Sequence, residues 1–119
     1  MEKRRRGTAI VETDKGILLT SMSKGPFLLP GGGANKGESR FSAAIRELQE
    51  ETGLIANYAK LLFNYESHSN MHTVVLIKAK GVPKPRSEIK YIDYFKIGKD
   101  IKMSKATKDI IEKYYDKKW

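Results

Sequence analysis

Three glutamates near the middle of the chain have the residue type and spacing that metal-ion chemistry needs. Glu50 and Glu51 follow Glu47 by three and four positions, a spacing that puts side chains next to one another on one flank of an α-helix. Close carboxylates repel one another, and a divalent cation removes that repulsion. Oxygen ligands with no thiolate or histidine nearby favour Mg²⁺ or Mn²⁺, which also accepts phosphate oxygens. The glutamates therefore predict a metal site for phosphate chemistry.

The same glutamates have a simpler interpretation when they are considered alone. A glutamate-rich helix face is commonly a solvated surface. Arg46 stands four positions before Glu50, where the two side chains can form an ordinary surface ion pair. Their spacing leaves both interpretations open.

A helix must carry these glutamates, and its limits can be read from the sequence. Ser39 is a suitable N-cap, and Gly53 stands where a helix commonly ends in a left-handed conformation. The glutamates lie about a third of a turn from an apolar stripe. Packing that stripe on a sheet leaves the carboxylates along the edge of a cleft. The stripe consists of Phe41, Ala44, Ile45 and Leu48.

Strand patterns on both sides of this helix predict the sheet. Strands are predicted at residues 8–12, 17–22, 60–65 and 73–77, and an alternating pattern covers 89–97. Residues 73–77 are apolar throughout, which is typical of a central strand that is buried on both faces. A last helix is predicted from near Ser104, with an apolar face. Strands grouped around two helices predict a mixed sheet covered on both faces.

The segment between the early strands and the helix carries a proline and three glycines. Pro30 and the glycines at 31–33 are expected to prevent regular structure. They predict a loop whose backbone can approach a ligand closely.

The glutamates belong to a longer and more specific pattern. Residues 32–54 read Gly-x5-Glu-x7-Arg-Glu-Leu-Gln-Glu-Glu-Thr-Gly-Leu. Seven fixed identities, at an average usage of about 7% each, would coincide by chance about once in a hundred million starting positions. The segment resembles the Nudix box at every defining position, which makes the chain similar to the MutT-like Nudix hydrolases. Residues 27–32 and 88–95, with the helix that follows, resemble the family more weakly.

This resemblance implies a fold and a set of roles for the box. The implied fold is of the α/β class, a Nudix-type α/β/α sandwich with a mixed β-sheet. Glu50 and Glu51 are the implied principal metal ligands, with Glu47 as a further ligand or water-activating carboxylate. The carbonyl of Gly31 completes the site. The implied role of Arg46 is to orient one carboxylate by ion pairing.

Further roles are implied around the box. Glu38 is implied to support the loop and the helix without binding the metal itself. The implied substrate contacts are Gly32 and Gly33 in the loop and Phe27 before it, where a tryptophan is frequent in the family. Members differ in which glutamate activates water, and Glu88 is the candidate outside the box. The alternative interpretation of Glu88 is a surface glutamate preceding a strand.

The implied activity is hydrolysis of a phosphoanhydride bond, with Mg²⁺ or Mn²⁺ as cofactor. The substrate is expected to be a nucleoside triphosphate, ADP-ribose or a nucleotide sugar, and the product a nucleoside monophosphate. One alternative is a pyrophosphohydrolase of RNA 5′ ends. Another is a non-catalytic module that binds a nucleotide or ADP-ribose, although such a module commonly has an eroded box and this box is intact.

Length and composition set the remaining expectations. A chain of 119 residues predicts one domain, 1–119. With no cysteine, no secretory signal and no long apolar run, the protein is expected to be cytoplasmic and not attached to a membrane. The net charge of +9 permits RNA binding but does not require it. The expected partner is a small nucleotide, and the expected state is a monomer or homodimer.

Three further groups of residues are less specific. His68 and His72 are expected in a solvated loop. The arginines at 4–6 match phosphate geometry but are expected as a frayed basic terminus. Three tyrosines have the rings to stack on a base, but aromatic residues in strands are more often part of the core: Tyr65, Tyr91 and Tyr94.

Overall fold

A computed structural model describes residues 2–117; Met1, Lys118 and Trp119, at the ends of the predicted 1–119 domain, lie outside the described residues. No helix in this part of the chain is long and apolar enough to cross a membrane. The elements in chain order are β1 (Arg4–Ile10), β2 (Glu12–Thr13), β3 (Gly16–Ser21), β4 (Gly31–Gly33), α1 (Arg40–Thr52), β5 (Ile55–Glu66), β6 (Asn70–Lys80), β7 (Tyr91–Phe95) and α2 (Lys105–Asp116).

The strands form two sheets. Four strands in the order β4-β1-β6-β5 make a mixed sheet, in which β1 and β6 are parallel and the other neighbours antiparallel. The other three make an antiparallel sheet in the order β2-β3-β7. β6 lies between β1 and β5, so the apolar run at 73–77 is part of a central strand, as predicted.

Consecutive strand residues contribute to two separate cores. Ala9 packs in the core that contains Leu48 of α1. Its neighbour Ile10 packs in the core that contains Ile110 of α2. Because successive side chains of a strand point to opposite faces, the helices cover opposite sides of the strands. The predicted α/β/α sandwich with a mixed sheet is confirmed.

α1 lies very close to β1 because Gly7 has no side chain. A Cβ at Gly7 would lie 2.2 Å from the Arg40 carbonyl oxygen and 2.3 Å from the Ala44 nitrogen. The helix begins after the N-cap Ser39 and ends at Gly53, whose φ of 80° is left-handed. Both helix limits match the prediction.

The predicted loop at 31–33 is wrong, because these glycines form β4. They pair antiparallel with β1, with Gly33 opposite Arg6 and Gly31 opposite Thr8. The pairing continues to Ala34, whose nitrogen donates to the Arg5 carbonyl over 2.8 Å. Glycines carry no side-chain pattern, so backbone hydrogen bonding can build a strand that periodicity does not reveal.

Two further expectations near the N-terminal strand are also wrong. The arginines at 4–6 are not a frayed end, because β1 pairs with β6 from Arg4 onward. His72 is 5% exposed and belongs to β6, whereas His68 is exposed in the β5–β6 turn, as expected.

The strands of the second half differ from their predicted limits, and one tyrosine departs from expectation. β5 already begins at Ile55, and β7 is shorter than the alternating pattern at 89–97. Tyr65 and Tyr94 pack against the two cores, whereas Tyr91 is 41% exposed. The first residue of β7 thus has its aromatic side chain partly at the surface.

Candidate active site

Glu47 and Glu51 extend from α1 toward the backbone of β4. The Gly31 nitrogen donates a hydrogen bond of 3.1 Å to Oε1 of Glu51. A Cβ at Gly32 would lie 1.9 Å from Oε2 of Glu47. The carboxylate of Glu47 can approach β4 this closely only because Gly32 has no side chain. The structure thus brings two of the predicted carboxylate ligands next to the backbone of Gly31 and Gly32.

Arg46 joins the segment after β4 to the helix. Its Nε and Nη2 donate to the two carboxylate oxygens of Glu38 over 2.8 and 2.9 Å. Its Nη1 donates to both oxygens of Glu50 over 3.1 Å, and its Nη2 donates to the Gly33 carbonyl over 3.0 Å. Glu38 also accepts a 2.9 Å hydrogen bond from the Asn35 nitrogen. These hydrogen bonds fix the segment against α1.

The carboxylates of the site differ in their electrostatic surroundings. Hydrogen bonds from Arg46 lower the pKa of Glu38 to about 2. Burial raises the pKa of Glu51 to about 7, and the nearby Glu47 adds to the increase. Burial also raises the pKa of Glu47. Arg46 and Arg6 act in the opposite direction at Glu47, and Arg6 does so at Glu51, but neither carboxylate accepts the arginine hydrogen bonds that Glu38 accepts.

The chemistry of this donor set fits a hard divalent cation. Carboxylates are the ligands that Mg²⁺ and Mn²⁺ prefer, and a cation would offset the charge that burial and repulsion disfavour at Glu47 and Glu51. As the side chains stand, no three acidic or histidine groups within residues 2–117 converge on one metal position. Glu50 is 52% exposed and turned onto Arg46. The ligands are thus on adjoining positions but are not gathered around one point.

Arg6 reaches the same region from β1, whereas the sequence analysis expected it in a frayed terminus. Its Nε donates to the Thr8 hydroxyl and its Nη2 to the Leu29 carbonyl, each over 3.2 Å. Burial lowers the pKa of Arg6, while Glu51 and Glu47 act in the opposite direction. The three successive arginines at 4–6 carry no strand alternation, so the extension of β1 to Arg4 follows from its pairing with β6.

Two cavities lie beside the start of α2, and one of them is lined by Arg6. One, of about 160 Å³, is lined by Arg6, Leu29, His72 and Thr107 among others. The other, of about 540 Å³, lies at the β5–β6 turn and the start of α2. Asn70 lines both. The two cavities are therefore neighbours, and the smaller one is the one that reaches Arg6.

The wall between the cavities is polar. The His72 Nδ1 lies 2.7 Å from the Thr8 hydroxyl, and its Nε2 lies 3.3 Å from the Ser67 hydroxyl. Burial and the nearby Arg6 lower the pKa of His72 to about 4, so its ring is neutral at pH 7. Oδ1 of Asn70 is buried and has no hydrogen-bond partner among the described residues.

Two predicted site residues lie apart from the carboxylates. Phe27 packs against the core under α2, and its nitrogen donates to the Lys102 carbonyl over 2.8 Å. Glu88 is exposed in a turn before β7. That turn is attached to the end of α1, because the Arg86 nitrogen donates to the Glu51 carbonyl over 2.9 Å. The contacts of Phe27 give no support to a substrate role, and the role of Glu88 stays a prediction.

Sequence comparisons give two matches. The family model described as NUDIX domain matches residues 2–113. An ADP-ribose pyrophosphatase of Methanocaldococcus jannaschii is 45% identical over 62 residues, which are 49% of this chain and 37% of that protein. The match thus spans well under half of the length of this curated relative.

Solved structures of similar fold cover almost the whole chain. A Nudix hydrolase family member from Chromobacterium violaceum is 39% identical, with a TM-score of 0.90, over 97% of this chain and 78% of that one. MutT from Aliivibrio salmonicida and Vibrio cholerae is 21% identical, with a TM-score of 0.80, over 99% and 100% of the two chains. At that identity the second likeness shows the fold alone.

Proposed function

The chain belongs to the Nudix family, and from this membership we propose that it is a metal-dependent pyrophosphohydrolase. The proposed substrate is a nucleoside triphosphate, ADP-ribose or a nucleotide sugar. Water attacks one phosphorus, the anhydride bond breaks, and a nucleoside monophosphate is released. The observation that carries the proposal is the intact box, whose Glu47 and Glu51 lie against the β4 backbone. The related ADP-ribose pyrophosphatase supports ADP-ribose as one of the candidates.

The carboxylates of Glu47, Glu50 and Glu51, with the Gly31 carbonyl, are the proposed holders of Mg²⁺ or Mn²⁺. When bound, such a cation supplies a water of lowered pKa and a positive charge for phosphate oxygens. The Gly31 N–H orients the carboxylate of Glu51. Arg46 holds Glu50 beside the site. These contacts set the positions from which the ligands act.

Two glutamates are candidates for removing the proton of the attacking water. Glu88 is the candidate outside the box, and the backbone hydrogen bond between Arg86 and Glu51 supports it by attaching its turn to the end of α1. Glu47 is the alternative, because its carboxylate already lies beside Gly32. Gly32 and Gly33 are the proposed backbone contacts of the diphosphate.

The cavities beside α2 offer a place for the nucleoside. A small ligand is best enclosed by a concave site with a few polar groups. The neutral His72 and the unpartnered oxygen of Asn70 provide such groups. This arrangement supports a small nucleotide as the substrate.

The proposal is tested by a substrate screen with and without Mg²⁺ or Mn²⁺. The protein is incubated with nucleoside triphosphates, ADP-ribose or nucleotide sugars in ¹⁸O-labelled water, and the masses of the separated products are measured by mass spectrometry. We expect metal-dependent nucleoside monophosphate and one ¹⁸O atom in a product phosphate. Tight nucleotide binding without turnover in any of these classes would overturn the proposal and support a binding module.

A further inference from the structure

Arg6 is a half-buried cation that has no direct counter-ion in the part of the chain that the structure describes. Its side chain is half-buried, and it lies near enough to Glu51 and Glu47 for both to favour its charged form. Yet among residues 2–117 no carboxylate oxygen lies within 4.0 Å of its guanidinium. A partly buried charge without a direct partner is unfavourable. An anion bound to the Arg6 guanidinium would therefore be favourable.

The guanidinium also has donors to spare. Of the five N–H groups of an arginine, one on Nε and one on Nη2 are used by Thr8 and Leu29. No acceptor for Nη1 is found in the described part of the chain. Arg6 lines the cavity that His72 also lines. The free N–H groups of Arg6 therefore lie between the cavity and the carboxylates of Glu47 and Glu51.

The geometry points to Arg6 as a substrate-binding residue that donates hydrogen bonds to the phosphate nearest the nucleoside. Two parallel N–H groups of a guanidinium match two oxygens of a phosphate. The hydrogen bonds to Thr8 and Leu29 hold the side chain in place before the substrate arrives. This assignment rests on the proposed function, because it requires a phosphorylated compound at the box.

The alternative is a purely structural role, in which Arg6 does not contact substrate and only balances the negative charge of Glu47 and Glu51. The two roles predict opposite effects on metal binding. If Arg6 binds phosphate, its removal weakens nucleotide binding, while the carboxylates attract a cation as well as before or better. If Arg6 only stabilises the carboxylates in place, its removal disturbs metal binding first.

The first measurement is calorimetric titration with α,β-methylene adenosine diphosphate in Mg²⁺. The variants are Arg6→Gln, Arg6→Lys and the charge control Lys60→Gln, which changes an exposed side chain on β5. We expect Arg6→Gln to weaken binding at least tenfold, Arg6→Lys to keep part of the affinity, and Lys60→Gln to stay within twofold of the unsubstituted protein. Equal affinities for Arg6→Gln and the unsubstituted protein, or no binding by the latter, would overturn the assignment.

The second measurement is Mn²⁺ binding without nucleotide, followed by electron paramagnetic resonance. The Mn²⁺ affinity of Arg6→Gln is expected to equal or exceed that of the unsubstituted protein. A loss of Mn²⁺ affinity as large as the loss of nucleotide affinity would show that Arg6 acts through the ligands, and would overturn the assignment.

The unsubstituted protein provides a third test, which holds even if Arg6→Gln does not fold. The ¹H–¹⁵N resonance of the Arg6 side chain is expected to shift when the methylene analogue is added, and an unchanged resonance contradicts direct contact. This readout is independent of turnover. Analogue binding through Arg6 without hydrolysis in the screen would refute the proposed function alone, whereas hydrolysis with an unmoved Arg6 would refute this inference alone.

Discussion

At the scale of the residue, the carboxylates of the site differ in whether they accept hydrogen bonds from an arginine. Glu38 and Glu50 both receive hydrogen bonds from Arg46. Glu47 and Glu51 instead face the backbone of β4, and burial raises the pKa of each. Arg46, at 3.8 Å from Glu47, and Arg6 offset this charge only in part, and a bound cation would offset the remainder.

Replacing Glu51 by glutamine is expected to remove activity without unfolding the protein. The amide oxygen can still accept from the Gly31 nitrogen, but it no longer carries the charge of a metal ligand. Changing a residue that only hydrogen-bonds to a metal ligand typically lowers metal affinity or activity by about 10- to 100-fold. Because Glu51 is itself a proposed ligand, we expect kcat/KM to fall by more than about 100-fold. Glu112→Gln, an exposed change on α2, is the control. A folded Glu51→Gln enzyme with the rate of the control would refute the metal assignment.

Arg46→Ala is expected to lower kcat/KM by about 10- to 100-fold while the fold is retained. The change removes hydrogen bonds to Glu38, Glu50 and the Gly33 carbonyl, so the carboxylates and the β4 segment lose their alignment. The control is Lys99→Ala, which breaks the exposed ion pair with Asp93. If rate and metal affinity in Arg46→Ala match the control, the arginine forms only a surface pair worth under about 1 kcal/mol.

His72 is expected to make the folded state sensitive to mild acid. Burial lowers its pKa from 6.5 to about 4, so between these values the unfolded chain binds the extra proton. The stability contributed by the neutral ring is complete above pH 6.5 and declines as the pH falls toward 4. Between pH 7.5 and 5 this amounts to about 2 kcal/mol.

The measurement for His72 is the free energy of unfolding from urea titrations at those two pH values. The His72→Gln variant is expected to lose less stability on acidification than the unsubstituted protein. His68→Gln, which changes an exposed histidine, serves as the control and should behave like the unsubstituted protein. An identical pH response in all three proteins would contradict the prediction.

At the scale of the element, local signals were sufficient for the helices and insufficient for β4 and for the start of β1. The caps at Ser39 and Gly53 and the apolar stripe lie within one segment, so the sequence predicted α1 to its ends. β4 depends on backbone pairing with β1, which lies far away in sequence. A pairing of that kind leaves no periodic trace in three glycines.

The site residues that the sequence predicted lie within one segment, whereas the residues that it did not predict are positioned by the pairing of distant strands. Glu47, Glu50 and Glu51 share one helix, so their proximity follows from helical spacing. Arg6 reaches the site only because β1 begins early and pairs in register with β6. Asn70 borders the cavities for the same reason. Register between distant strands is not encoded in the spacing of any one segment.

A methyl group at Gly7 is expected to separate α1 from β1. The new Cβ of Gly7→Ala would lie 2.2 Å from the Arg40 carbonyl oxygen and 2.3 Å from the Ala44 nitrogen, and backbone atoms cannot move aside cheaply. Such overpacking costs about 1–3 kcal/mol or more, and the shift of α1 should also reduce activity.

The control for Gly7→Ala is Gly33→Ala in the paired strand. There the Cβ meets only the end of the Arg4 side chain, at 2.8 Å, which can rotate away. Urea titrations should therefore place the free energy of unfolding of Gly7→Ala well below that of Gly33→Ala. Equal stabilities would show that the helix does not depend on this close approach.

At the scale of the whole molecule, the question is what the net charge of +9 does. Several cations are already engaged with protein groups, among them Arg46 with three glutamates and Lys99 with Asp93. Others lie over aromatic rings, such as Lys78 over Tyr58 and Lys113 over Phe63. The charge thus raises the encounter rate with anions in general, but it does not by itself form a track for a polynucleotide.

We therefore expect the enzyme to prefer a small nucleoside di- or triphosphate derivative over RNA. Single-stranded RNA requires a basic groove with aromatic platforms along several nucleotides, whereas the cavities of about 160 and 540 Å³ suit one base, ribose and diphosphate. Triphosphorylated RNA and free nucleotides are compared in competition at rising salt. The small substrates should keep the higher kcat/KM and show a shallow dependence on salt, because few phosphates are bound. A much higher kcat/KM for the RNA, falling steeply as salt is added, would overturn the substrate assignment and leave the metal chemistry of the box untouched.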